Sequence, residues 1–285
     1  MKTLALGAAA AVAVPLLTEK ERMNQYHLGL NPSPEGAVRL RLGDYLVPDQ
    51  LPPLPDGDFG HQGYVGDWKM LGNGPDPTNP SRVRDGAGDC AFAGPFHAEM
   101  LWNAVGGREV NIDADCTLAA YSAVTGFVPG DPSTDNGSDI ATVAEYWRTT
   151  GLTDADGKVH KIDAYVELHG LRELLYGMYL FDCVGIGVSF PMEWMQAFQQ
   201  GGTWEALPQA TIEGGHFILG VGWVSGYIDT ITWGRQQLLS PAGWRQLGSM
   251  SVAYLSRERI LASGRDLNGL NLDQLLADLE ELPNV

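Results

Sequence analysis

Cysteine is scarce: Cys90, Cys116 and Cys183 are the only three in 285 residues. An odd, small set leaves at least one thiol free, does not make a disulfide framework, and contains no CxxC spacing for zinc or dithiol redox chemistry. No third and fourth Cys or His falls at usable spacing, so neither a metal nor a cofactor is expected. Basic residues are also few, 18 Lys and Arg against 35 Asp and Glu, for a net charge of −17. They form no run, which argues against nucleic acid as a partner, because phosphate binding needs clustered cations. Long apolar stretches are missing as well. The one candidate, Leu4 to Leu17 behind Lys2, is too short to span a bilayer; it resembles a secretory leader but ends in Pro15-Leu16-Leu17 instead of a small-x-small cleavage site.

What remains is a globular composition, 44% hydrophobic, with enough chain for one large core or two lobes around a cleft. No internal repeat is present. Residues 18–87 are punctuated by Pro and Gly, as in Pro52-Pro53-Leu54-Pro55-Asp56-Gly57, which prevents long helices and central strands. Tyr64, Trp68, Met70 and Leu71 predict that this arm packs against the domain. From Asp89 the apolar spacing turns helical, through Phe92, Phe96 and Met100 to Trp102, with Pro95 removing one internal hydrogen bond. Further helices are expected over 115–125, from about 138 to 151, over 168–179 and over 192–199. Strands are expected at 183–190, 215–223 and 227–233, and an amphipathic helix at 271–282. Helices first and strands afterwards indicate an α+β class. The organisation read from this is an apolar segment at 1–17, the arm at 18–87, the main domain at 88–262 and a C-terminal helix at 263–285.

Gly88-Asp89-Cys90 places a cysteine at the head of a helix, where unpaired N–H groups and the helix dipole favour thiolate. Such a nucleophile needs a base. Of six histidines, His97 is two turns up the same helix, about 10 Å away. His27 and His61 lie in the arm, His160 in a polar stretch expected to be exposed, and His169 at a helix boundary. His216 begins an apolar strand after Gly214-Gly215, where small residues leave room for another segment to approach. Cys116 and Cys183 sit in apolar surroundings that suit inert core thiols.

With these residues in view, the chain resembles the papain-like cysteine peptidases. That family presents Gly-Ser-Cys at the head of a long helix, here Gly88-Asp89-Cys90, and a strand-initial His followed by an apolar run and Val-Gly-Tyr, here His216 to Trp223. Asp135-Asn136-Gly137 resembles the family's glycine loop, and Thr232-Trp233-Gly234 its Ser-Trp-Gly. The likeness covers about 88–245 and is similar, more closely, to a branch found in actinobacteria and their phages. Two positions depart from the pattern. Ile231 stands where the family has the asparagine that orients the histidine, and Arg84 where it has the oxyanion glutamine.

The resemblance implies a two-lobe fold, a helical lobe followed by an antiparallel β lobe. It also implies a thiol-dependent peptidase or amidase in which Cys90 and His216 form the dyad through a thioacyl intermediate. Asp229 or Thr232 would then orient the histidine, or the dyad would work alone. Gly137, Ser138 and Trp233 would bind an extended peptide or amide substrate, and Asn73 or Asn79 could supply an oxyanion donor. The competing reading, motivated by Ile231 and Arg84, is a weakly active or inactive papain-like scaffold that binds a protein partner, for instance in a phage particle. Residues 18–87 are expected to be a permanent arm in preference to a propeptide. The expected location is cytoplasmic or virion-associated, with secretion following if residues 1–17 act as a leader.

Overall fold

A sixteen-residue helix, α1 (Cys90–Val105), runs through the middle of the molecule, and every residue from Cys90 to Asn103 is buried. A helix buried on all sides belongs in a core, and its polar members His97, Glu99 and Asn103 find partners there. The computed structural model describes residues 26–38, 40–74, 86–256, 259 and 269–281. Arg84, Asn79 and the apolar segment 1–17 lie outside the described residues. Two shorter helices, α2 (Ala114–Thr125) and α3 (Ile140–Thr149), flank α1. Each is capped at its start by an aspartate that accepts a main-chain N–H: Asp113 from Cys116, and Asp139 from Thr142. Such caps satisfy donors that the first turn leaves open.

The second half supplies an antiparallel sheet. In chain order its strands are β1 (Phe59–Gly60), β4 (Ala164–Glu167), β5 (Val184–Pro191), β6 (Ile212–Val224), β7 (Tyr227–Thr232), β8 (Arg235–Leu239) and β9 (Gly248–Leu255), with β2 (Leu152–Thr153) and β3 (Val159–His160) forming a separate hairpin. The spatial order is β4-β9-β5-β6-β7-β8, and β1 joins through Phe59 and Gly60 opposite Trp223 and Gly222. Helices α4 (Gly170–Phe181), α5 (Met192–Gln200) and α6 (Pro241–Leu247) fill out this half, and α7 (Leu272–Glu281) closes the described chain.

Strand β6 separates the two cores. Phe217, Leu219 and Val221 belong to the core that contains α1, α2 and α3, while Ile218 belongs to the core with α4 and α5. Alternation along a pleated strand explains this split. Phe217 lies directly on α1 at Gly94, where a Cβ would stand only 1.9 Å from its ring. This close approach brings the start of α1 to the start of β6. The architecture is the expected α+β one.

The arm is built from short 3-10 turns and extended pieces. Trp68 and Leu71 pack into the core as expected, but Tyr64 is 57% exposed. Residues 40–47 are held firmly against the sheet half. Arg41 bridges the edge strand β4 at Glu167, Leu46 pairs with Leu270, and Asn271 N–H donates to the Tyr45 carbonyl at 2.8 Å. The Tyr45 hydroxyl donates to Asp278 on α7 at 2.9 Å.

Candidate active site

Cys90 heads α1 as expected, whereas His216 does not begin its strand but stands fifth in β6, which starts at Ile212 because the pairing with β5 extends back through Gly214 and Gly215. Main-chain N–H groups of Phe217, Gly29 and Ala91 point at the Cys90 sulfur, so the sulfur lies against the residue that follows His216. The imidazole stacks on Trp233, with centroids 4.1 Å apart and planes 16° from parallel, and meets Phe190 edge-on. Its Nε2 shares a 2.7 Å hydrogen bond with the Thr232 hydroxyl. Its Nδ1 is buried and has no hydrogen-bond partner among the described residues, Cys90 included. The sulfur thus lies against the main chain that follows His216, and no direct bond joins the two side chains.

Of the two candidate orienting residues, Thr232 contacts the ring and Asp229 does not. The strand decides this. Positions 229 and 232 are an odd number of residues apart, so they face opposite sides of β7. Asp229 shares its face with Ile231, which packs into the α1 core. Burial pushes the Asp229 carboxyl up to about 6.

The feature that the sequence did not announce is what fills the cleft. Residues 27–31 of the arm run through it in extended form, bonded to both sides. Ser138 N–H donates to the Gly29 carbonyl at 2.8 Å, Asn31 N–H donates to Ser138 at 2.9 Å, and Leu30 N–H donates to the Gly215 carbonyl at 3.0 Å. His27 N–H donates to Asn73, and Tyr26 packs on Phe198 and Trp233. Leu30 reaches the space that Gly187 leaves beside Ile140 and Ser249. Gly137 and Ser138 thus contact an extended chain, and that chain is the protein's own.

The plug is fitted by glycines on both sides. A Cβ on Gly29 would stand 1.8 Å from the Gly88 carbonyl oxygen, one on Gly137 2.3 Å from the Gly29 oxygen, and one on Gly215 2.1 Å from the Leu30 oxygen. What the plug offers the sulfur is the Gly29 N–H, while the Gly29 carbonyl is turned to Ser138. A nucleophile facing a donor has no electrophilic carbon to attack, so the plug occupies the site without being a substrate in this pose. The apolar run Leu28-Gly29-Leu30 within a polar arm was the available signal for it.

Burial also reverses the expected electrostatics. Cys90 is 1% exposed, and loss of solvent pushes its thiol up to about 12, outweighing the N–H donors of Phe217, Gly29 and Ala91. Desolvation likewise pulls His216 down to about 3. In this closed form the pair is a neutral thiol and a neutral imidazole, and the thiolate expected from the helix N-terminus is suppressed. The signs define a window. Between about pH 6.5 and 9 neither shift opposes the closed form; below 6.5 an opened His216 takes a proton that the closed one refuses, and above 9 an opened Cys90 loses one that the closed one keeps, so both extremes favour opening.

Asp89, beside the nucleophile, is fully buried, and neither carboxylate oxygen has a partner among the described residues. Burial first, and the nearby Asp135 charge second, hold its carboxyl well above the ordinary aspartate value of 3.8. Below pH 3.8 folded and unfolded chains both carry the proton and nothing is lost. Above it the unfolded chain releases the proton and the folded one does not, so stability falls by up to about 1.4 kcal/mol per pH unit until the folded group ionises. Asp89→Asn should therefore raise the thermal midpoint at pH 7 and leave it nearly unchanged at pH 4. Unfolding scans at the two pH values check this, and equal shifts at both would contradict it.

His160, expected to be exposed, is instead buried between two carboxylates, 2.9 Å from Asp154 and 3.4 Å from Glu99. His97 is structural: its Nε2 donates to the Trp68 carbonyl at 2.7 Å, and burial lowers it to about 4. Cys90, Cys116 and Cys183 are buried, and none is in a disulfide. Among the described residues no group of three metal-ligating side chains occurs, and no helix is long and apolar enough to cross a membrane.

No protein-family model matches the chain, and no curated protein matches it in sequence. Solved structures do. A procathepsin B from Trypanosoma congolense aligns with a TM-score of 0.57 at 12% identity, covering 84% of this chain and 88% of its own. Xylellain, a cysteine protease from Xylella fastidiosa, aligns at 0.51 and 12% identity, covering 81% and 97%. A digestive procathepsin L2 from Tenebrio molitor larval midgut aligns at 0.51 and 14% identity, covering 84% and 81%. At such identities the likeness speaks to fold, and the fold of this chain is that of the papain-like cysteine proteases.

Proposed function

We propose that the protein is a latent thiol hydrolase, a peptidase or amidase, with Cys90 as nucleophile and His216 as base, and that residues 27–31 hold it closed. The observation that carries this reading is the arrangement around the sulfur. A helix-first cysteine, a strand-borne imidazole with an unpartnered Nδ1, and a main-chain rail at Ser138 enclose a track that already accommodates an extended peptide.

With the plug displaced, water returns to the cleft and the terms that neutralise the pair weaken, so the helix N-terminus can favour thiolate. Cys90 Sγ then bonds to the substrate carbonyl carbon, its proton passing to His216 Nδ1. The N–H of Cys90, which as the first in α1 has no intrahelical acceptor, faces the developing oxyanion. Collapse breaks the C–N bond as His216 gives its proton to the leaving amine. Water next adds to the thioester through the same base, the S–C bond breaks, and the acid is released with the thiol restored. Thr232 accepts from Nε2–H, leaving the Nδ1 lone pair for the cysteine proton. Ile231 takes no part, because it faces the α1 core.

A second reading is favoured by the sealed sulfur itself: a closed papain-like scaffold that serves as a binding or assembly component, in the cytoplasm or in a virus particle. One experiment separates them. The full-length chain carrying Gly29→Ala, which cannot seat the plug, should hydrolyse a mixed set of fluorogenic peptide amides and lose that activity when Cys90→Ser is added. A folded Gly29→Ala protein whose accessible Cys90 hydrolyses none of them would leave the scaffold.

A further inference from the structure

Beneath the cleft, four hydrogen bonds join the turn before the nucleophile to the rail that holds the extended chain. Gly88 N–H donates to both carboxylate oxygens of Asp135, at 3.1 and 2.9 Å. The Tyr121 hydroxyl donates to Asp135 at 2.5 Å, and in turn accepts the Gly137 N–H at 2.8 Å. Gly137 is followed by Ser138, whose main chain makes two of the bonds to residues 29–31. Gly88 lies two residues before Cys90 and touches Gly29.

We propose that Tyr121 and Asp135 are positioning residues for the bound peptide: through this bridge they set the spacing between the Ser138 rail and the Cys90 sulfur. Its catalytic consequence rests on the hydrolase reading, whereas its effect on the plug does not.

The chemistry suits the task. A hydroxyl both donates and accepts through one atom, so the phenol can pass from a carboxylate to an N–H, and an aromatic ring carries it rigidly. Tyr121 is fully buried, its ring against Phe92 and Phe127. Asp135 comes from the loop that leads into the rail and reaches back 47 residues in sequence to Gly88. Gly137 has φ +69, in the left-handed region that favours glycine, and its N–H is turned down to the phenol while the next residue faces the cleft. No covalent link joins these two segments; the bridge is what keeps them in register. A rail displaced by about 1 Å would misplace an extended ligand relative to the sulfur, an error that costs about 10²-fold in rate elsewhere.

The test is Tyr121→Phe in the full-length chain, which keeps the ring and removes both bonds of the hydroxyl. In the resting protein, modification of Cys90 by a small neutral thiol reagent should accelerate about tenfold, because the plug is seated on Ser138. Combined with Gly29→Ala, the same change should lower kcat/KM for a peptide amide about tenfold or more, chiefly through kcat. In that background the small reagent, which does not use the rail, should react within about twofold of the parent rate. Asp135→Asn, which keeps one carbonyl acceptor, should fall between. Ile112→Val, a change in the same core at a residue that makes none of the bridge's hydrogen bonds, serves as the stability control. If Tyr121→Phe matches Ile112→Val in the resting-protein rate, or slows peptide and small reagent equally, the positioning role is wrong. If the Gly29→Ala chain hydrolyses nothing, the hydrolase reading fails, and the resting-protein rate still decides the bridge.

Discussion

Replacing Gly29 with alanine should expose a thiol that is otherwise sealed. The added methyl would stand 1.8 Å from the Gly88 carbonyl oxygen, and main chain cannot move aside as a flexible side chain can. Overpacking of this kind costs about 1–3 kcal/mol, and with 1.4 kcal/mol per factor of ten the population of the displaced plug should rise about 5- to 150-fold. The rate of Cys90 modification should rise with it, and Cys116 and Cys183, which are buried and do not touch the plug's glycine contacts, give the background rate. The pH profile should change too. Once burial is relieved, the sulfur keeps the N–H donors of Phe217 and Ala91 and loses the desolvation that holds it near 12, so half-maximal reactivity should move downward. Alkylation rates measured from pH 6 to 10 on parent and variant check this. Equal rates, or an unmoved midpoint, would mean that residues 27–31 do not control access.

Loss of Glu99 should destabilise the molecule more than any change at the cleft. Three turns along α1, its carboxylate is 3% exposed and sits between His160 at 3.4 Å and Arg259 at 3.6 Å, with Asp154 on the far side of the imidazole at 2.9 Å. Arg259 also donates to Asn103, one turn on. The cluster joins α1, the β2–β3 hairpin and the chain beyond β9. Deleting one member of a buried charged network leaves the others uncompensated, a loss of about 3–5 kcal/mol. Glu99→Ala should therefore lower the thermal midpoint by on the order of 10 °C at this chain length. Cys90 reactivity below the transition should stay close to that of the parent, because the cluster does not touch the plug. A shift of only one or two degrees, measured by calorimetry, would show that the cluster contributes little.

The elements closest to the chemistry were readable because their signals are local. The i, i+4 apolar spacing after Asp89 produced α1 starting at Cys90, and the apolar run after Gly215 produced β6. Helix ends moved by a residue or two, as at α3, which begins at Ile140 after the Asp139 cap. His160 was misread because polar neighbours suggest exposure, whereas the two carboxylates that bury it lie 6 and 61 positions away in the chain. The choice between Asp229 and Thr232 needed to know which face of β7 meets the imidazole, and strand periodicity says only that the two residues differ.

What the sequence by itself determined is therefore a helix-borne thiol, a strand-borne imidazole and an α+β class, since each follows from spacing and caps within a dozen residues. Tertiary structure alone decided that the arm returns through the cleft and that Gly29 lies on Gly88. It also decided that burial, not the helix dipole, governs both titrating groups. The physical reason is that desolvation depends on everything packed around a group, and the segment that seals this one is 61 residues distant along the chain.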